Sequence, residues 1–285
     1  MKADRRSLYL HLARKLLDRL GFRCSALEPA ASGRKGLVFF CHPDRGEPLV
    51  MRLYSNPLYY FKSLLIRRAV ARARVPLAPE VVFSSLLFSG ARPWGVVLEE
   101  RLGEVSSFGR DQALDLVRRL ALLHRNTSIS SKLLHRYVLA KWIRKTEGSL
   151  RYIKKAGDIY HTLKPLWDRV CRMEVGPLLS LCHRDVGLAN SGTKGDRLLL
   201  LDWDNASLFF PQYEFIQCCY FFGLSPEDAL PVYLEASGWK DCFTDSLPFF
   251  VAMFLIARAK KYLRRGKLYK LDRICYLASQ WEVLA

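Results

Sequence analysis

Two stretches of this chain hold residue types that can do chemistry together. The first is Leu181-Cys182-His183-Arg184-Asp185-Val186-Gly187-Leu188-Ala189-Asn190 and the second is Leu198-Leu199-Leu200-Leu201-Asp202-Trp203-Asp204. Each opens on an apolar run that reads as a short strand. One run delivers a loop with His-x-Asp and an Asn five residues beyond the Asp; the other ends in Asp. A loop carboxylate at Asp185 can orient a hydroxyl and take its proton. Asn190 and Asp202 offer an amide oxygen and a carboxylate, the hard donors that magnesium prefers. A base for a hydroxyl beside donors for a divalent cation is the equipment phosphoryl transfer needs, because the triphosphate charge must be bridged by metal. His183 and Arg184 read as organisers of the loop through hydrogen bonds. Asp204 reads equally as a further metal or substrate contact and as a hydrogen-bonding brace.

The elements that position these residues divide into two regions. Leu8, Leu12, Leu16 and Leu20 recur every fourth residue over 5–20, one face of an amphipathic helix ended by Gly21. A strand meander follows through Val38–Phe40 and Leu49–Tyr54, with turns at 31–36 and at Asp44-Arg45-Gly46. Residues 58–74 predict a basic helix stopped by Pro76 and Pro79. Val81–Phe83 and Trp94–Leu98 predict two more strands, and the polar segment 101–107 a hinge. From Asp111 the pattern turns helical, with helices expected at 131–148, 158–173, 212–222, 226–237, 246–265 and 268–283. The expectation is an α+β, two-lobe chain: a β-rich N-terminal lobe over 1–102 and a larger helical lobe over 103–285.

Lys and Arg number 45 against 27 Asp and Glu over 285 residues, a net charge of +18. Such a field draws polyanions: nucleotide phosphates, an acidic acceptor or an anionic membrane surface. The basic helix at 58–74 and the segment 258–273, where Tyr262 and Tyr269 are interleaved with lysines and arginines, are the densest patches. No nucleic-acid module surrounds either, so no specific nucleic-acid partner is expected. Eight cysteines lack metal-ligand spacing and several sit in apolar runs, which fits reduced thiols in a cytoplasm. The charged N-terminus does not read as a secretory leader, and apolar runs such as 247–257 are too short to span a bilayer. A peripheral contact with the inner membrane face stays open.

The loop matches the kinase pattern His-Arg-Asp-x-x-x-x-Asn followed by a metal-binding Asp. The chain resembles the aminoglycoside phosphotransferase and choline kinase-like family of the protein-kinase-like fold. That family carries His-Gly-Asp-x-x-x-x-Asn and then Ile-Asp-Trp-Glu or Ile-Asp-Trp-Asp; here the second motif is Leu201-Asp202-Trp203-Asp204. Looser matches run upstream in the same order: Val50-Met51-Arg52-Leu53 for a strand ending in Lys or Arg, Val75-Pro76-Leu77-Ala78-Pro79 for a proline turn, Val96–Glu100 for a strand running into an acidic hinge, and Leu123-His124 for a helix end. The resemblance covers about residues 20 to 220. It implies Asp185 as catalytic base and Asn190 and Asp202 as magnesium ligands. Arg52 can fork onto phosphate oxygens and Lys35 can approach phosphate, and with Glu99 and Arg101 they are the expected nucleotide contacts. The resemblance also implies that Tyr213-Glu214 stands where the family has a Tyr-Asp that braces the catalytic loop.

Three departures bear on activity. The segment Ala31–Gly36 lacks the Gly-x-Gly-x-x-Gly pattern, leaving phosphate cradle and plain hairpin turn as equal readings. Arg52 replaces the usual Lys. No acidic residue occurs between Tyr54 and Val75, so the helix acid expected to pair with Arg52 is missing. Either Arg52 works without it, another acid reaches in, or the site is crippled. The expected function is phosphoryl transfer from ATP or GTP, with Mg2+, to a hydroxyl of a small-molecule or lipid-linked anionic sugar or amino alcohol. The competing expectation is a non-catalytic, kinase-like binding module.

Overall fold

The structure is a computed structural model that describes residues 3–30 and 36–282. Its first half contains α1 (Ala3–Arg19), β1 (Cys24–Pro29), β2 (Leu37–Pro43), β3 (Leu49–Tyr54), α2 (Pro57–Arg72), β4 (Val81–Ser89), β5 (Arg92–Glu100) and α3 (Arg110–Asn126). There follow β6 (Ile129–Ser130), α4 (Lys132–Ile153), α5 (Gly157–Val170), β7 (Leu178–Cys182), β8 (Ser191–Lys194), β9 (Arg197–Leu200) and β10 (Ser207–Phe209). The chain closes with α6 (Pro211–Phe222), α7 (Pro226–Ser237), α8 (Asp241–Thr244), α9 (Leu247–Arg264) and α10 (Leu271–Glu282). The class is α+β, as the sequence predicts. The expected strand at 81–83 runs on to Ser89, and β1, β6, β8, β10 and the single turn α8 were not foreseen.

The chain forms two compact units: residues up to Gln112 with Leu188–Asn205, and Ala113–Gly187 with the chain from Ala206 onward. This partition differs from the expected boundary at 102/103: the first unit runs on to Gln112 and also takes in Leu188–Asn205. β8 and β9 belong to the first unit because Gly103 and Thr193 exchange backbone hydrogen bonds at 2.9 Å and Leu200 N–H donates to Leu77 O at 2.8 Å.

The first unit is built on a five-stranded antiparallel sheet in the order β1-β2-β3-β5-β4. Strand alternation gives it two distinct faces. Met51, Leu53, Trp94, Val96 and Leu98 face α1, where Ala13, Leu16 and Leu17 close the core. Of the expected face of α1, Leu16 is in the core and Leu12 and Leu20 pack against it, with Ala13 and Leu17 widening the stripe; Leu8 is exposed. The alternate residues Tyr54 and Val97 pack with Tyr60 of α2 on the other face. Each such side chain, fully buried, contributes about 1.5–3 kcal/mol. The chain can pass this close only because residue 95 is glycine: a Cβ there would lie 2.3 Å from Cγ of Tyr60. Asn56 starts α2, its Oδ1 accepting from Leu58 N at 2.9 Å with Pro57 in the first turn.

The second unit is helical, with a small antiparallel sheet in the order β10-β7-β6. Its centre is α9, in which every residue from Phe249 to Ile256 is buried. A helix apolar all round must be covered on all sides, and α4, α5, α6 and α10 do this. Among the described residues no helix is long and apolar enough to cross a membrane.

Candidate active site

Arg52 and Glu99 share a sheet face through register alone. Val50 stands opposite Glu99 across β3 and β5, and Arg52 lies two residues from Val50 on the same face. Arg52 Nε–H donates to Glu99 Oε1 at 2.6 Å. The second carboxylate oxygen pairs at 2.6 Å with Arg67, which reaches in from α2. Glu99 is 1% exposed, so its charge is tolerable only because both oxygens meet guanidinium groups. Burial opposes the charge on Arg52, yet Glu99 beside it holds the guanidinium above its ordinary pKa. The acid missing from α2 is thus supplied by β5, and α2 contributes an arginine in its place. Two guanidiniums against one carboxylate leave a positive surplus, and Arg52 Nη1 lies 3.8 Å from Asp202 Oδ1.

Asn190 and Asp202 are brought side by side by backbone pairing. Ser191 opposes Leu200 in the β8–β9 ladder, and Leu201 N–H donates to Asn190 O at 2.8 Å. Asp202 has φ 58, left-handed backbone that a non-glycine residue adopts at a cost. Its carboxylate is 44% exposed and so open to a ligand. Trp203, fully buried, anchors the turn with Nε1–H donating to Leu200 O at 2.8 Å. Asp204 is a tether: its Oδ1 accepts from Tyr54 hydroxyl at 3.0 Å and its carbonyl from Lys62 Nζ at 3.0 Å. An amide oxygen and a partly exposed carboxylate suit a hard cation, so the residues present fit magnesium.

Asp185 belongs to the second unit, in a loop braced from beneath. Its N–H donates to His183 Nδ1 at 3.3 Å. Arg184 N–H donates to Glu214 Oε1 at 2.6 Å, and His124 Nε2–H donates to Oε2 at 2.9 Å. Tyr233, whose hydroxyl burial keeps protonated, meets His124 Nδ1 at 2.7 Å. Complete burial disfavours the charge on Glu214, but the bond from His124, the charges of His124 and His183 and the Arg184 N–H together hold its carboxyl below the usual value. Ligand-type atoms of His124, Cys182 and Glu214 lie within 4.8 Å of one another. Both His124 nitrogens and both Glu214 oxygens are already engaged, so this cluster braces the loop and is not a metal cage. Arg184 has φ 69, the conformation for which the resembling family keeps glycine. The strain is offset by its guanidinium over the rings of Phe209 (4.8 Å) and Trp142 (5.4 Å) and by a 3.0 Å bond to Ser207 Oγ.

Of the remaining expected nucleotide contacts, Lys35 lies outside the described residues. Arg101 is exposed, its guanidinium 4.3 Å above the Phe40 ring and its N–H bonded to Pro48 O at 3.2 Å. Glu99 presents both oxygens to arginines. Sequence reasoning missed Arg67 as their partner, although a signal existed. Arg67 falls on the buried stripe of α2 with Tyr60, Ser63, Ile66 and Val70, and a cation there requires an anion.

This architecture is the protein-kinase-like fold found among small-molecule phosphotransferases. A macrolide 2'-phosphotransferase, MphH from Brachybacterium faecium, is similar at TM-score 0.58 and 15% identity, over 93% of this chain and 96% of that one. The choline kinase LicA from Streptococcus pneumoniae is similar at TM-score 0.55 and 12% identity, over 95% and 98% of the two chains. A spectinomycin phosphotransferase in complex with ADP and spectinomycin matches at 0.58 and 10%, over 94% and 98%. No family model matches the sequence, and no curated protein matches it.

Proposed function

We propose that the chain is a phosphotransferase that moves the terminal phosphoryl group of ATP or GTP to a hydroxyl of a small-molecule or lipid-linked, anionic sugar or amino alcohol. One observation carries this reading: Arg52, held by the buried Glu99 shared with Arg67, stands 3.8 Å from Asp202. It answers the strongest motive for a non-catalytic module, the absence of an acid in α2.

The roles follow from chemistry. Arg52 takes phosphate oxygens as a fork, and Glu99 fixes its direction. Magnesium, bound through Asn190 and Asp202, would neutralise and orient the phosphate oxygens. Asp185 accepts the acceptor's proton as its oxygen bonds to the γ-phosphorus and the bond to the bridging oxygen breaks, releasing nucleoside diphosphate. Cations crowd two places in the second unit, one of them beside Asp185. Lys261 is lowered below its ordinary pKa by burial, Arg258 and Arg265, with Asp185 acting in opposition. Lys145 is lowered by burial, Arg184, Lys260 and Lys141. Such crowding is relieved by a bound anion, which supports an acceptor already bearing phosphate or carboxylate. The cysteines among the described residues are all free, in keeping with a reducing cytoplasm.

The test is phosphoryl transfer from labelled ATP and GTP to neutral, cationic and anionic hydroxyl acceptors, with and without Mg2+. Transfer is expected to favour anionic acceptors, and Asp185→Asn is expected to slow it about a hundred- to ten-thousand-fold while sparing nucleotide binding. Nucleotide binding with no transfer to any acceptor would favour the non-catalytic module.

A further inference from the structure

Helix α2 turns an unusual face outward. Leu58, Phe61 and Leu65 are 75%, 50% and 66% exposed, and their spacing places them on one stripe of the helix. Arg68 and Arg72 extend that stripe, both exposed. No acidic residue occurs between Tyr54 and Val75. The stripe is continuous, through Arg68, with a groove of about 560 Å³ whose walls include Leu64, Val75 and Val81, with Arg74 and Glu80 also at its lining. Apolar side chains at one end of a helix and arginines at the other suit a surface with a hydrocarbon interior and a negative face. A second copy of the chain is disfavoured as the occupant, since an antiparallel two-fold contact would lay the arginine end of each helix on the apolar end of the other, and α2 offers no acidic residue to meet those arginines.

We propose that the outer face of α2 docks the protein on an anionic phospholipid bilayer. Leu58, Phe61 and Leu65 enter the boundary between headgroups and acyl chains, while Arg68 and Arg72 meet lipid phosphates. Its purpose rests on the lipid-linked form of the acceptor; its test does not, because docking is measured without nucleotide or acceptor.

The experiment is cosedimentation of the full chain with phosphatidylcholine vesicles, with and without phosphatidylglycerol, at low and high salt. Phosphatidylglycerol is expected to raise partitioning about tenfold at low salt, and salt to reverse the gain. Leu58→Ser with Leu65→Ser, and separately Arg68→Ala with Arg72→Ala, are each expected to lower partitioning about tenfold with an unchanged melting temperature. Equal partitioning of the wild type and both variants would overturn the proposal. So would absence of vesicle binding together with a concentration-dependent dimer that Leu65→Ser abolishes. Vesicle binding without any phosphoryl transfer would leave the docking face standing and remove the catalytic reading alone.

Discussion

At Glu99 a single carboxylate holds two arginines from different elements, Arg52 on the sheet and Arg67 on α2. Its neutralisation would leave two guanidiniums facing each other out of water, so breaking it is costly where an exposed pair would not be. Glu99→Gln is expected to destabilise the protein by about 3–5 kcal/mol in chemical denaturation and to raise the nucleotide KM by releasing Arg52 from its aim. Wild-type stability in that variant would remove the positioning role. Of the three non-glycine residues with left-handed backbone among the described residues, Arg184 and Asp202 lie in the two motifs to which the proposed function assigns the chemistry. Strain of this kind persists where the surroundings over-determine the backbone. Arg184 has ring contacts and a hydrogen bond to do so, and Asp202 has the β9 ladder on one side and the anchored Trp203 on the other.

The loop that carries Asp185 is held as an element by the buried trio Glu214, His124 and Tyr233, contributed by three helices. Because the folded-state pKa of Glu214 is depressed, the stabilisation from its ionised form is present above its unfolded value, near 4.5, and is lost as pH falls through the folded value. Thermal unfolding followed from neutral to acid pH should show stability declining below about pH 4.5, with a shallower decline in Glu214→Gln. That variant should also lose about 1–3 kcal/mol at neutral pH, since an amide cannot accept from both donors. Identical acid limbs in the two proteins would contradict this. Much of the loop was legible beforehand, because Asp185, Asn190 and Asp202 are set by short spacings between apolar strands, and because His124 and Glu214 occupy places the family resemblance marks. The arginine–carboxylate cluster was not, since it joins residues 47 and 32 positions apart by way of strand register and helix rotation that no local pattern encodes. Short elements escaped for a related reason: β10 has three residues and α8 a single turn, too few to show a period.

For the whole molecule, the large positive charge gathers in local groups: a surplus at Arg52 and Arg67, crowded cations around Lys261 and Lys145, and arginines on the outer face of α2. In the proposals made above, each answers to an anion of a different kind, namely nucleotide phosphate, acceptor and bilayer. The division into two units also shows why the hairpin β8–β9 was misplaced by a linear reading. It lies late in the sequence, yet its hydrogen bonds to Leu77 and Gly103 carry Asn190 and Asp202 into the unit that holds Arg52. That placement underlies the central claim, that Asp202 and Asn190 form a magnesium-dependent nucleotide site. Calorimetric titration of ATP and GTP into the wild type and Asp202→Ala, each with and without Mg2+, tests it most directly. The expected result is wild-type binding that requires Mg2+ and weakens about 10- to 100-fold in Asp202→Ala; affinity indifferent to both the metal and the substitution would contradict it.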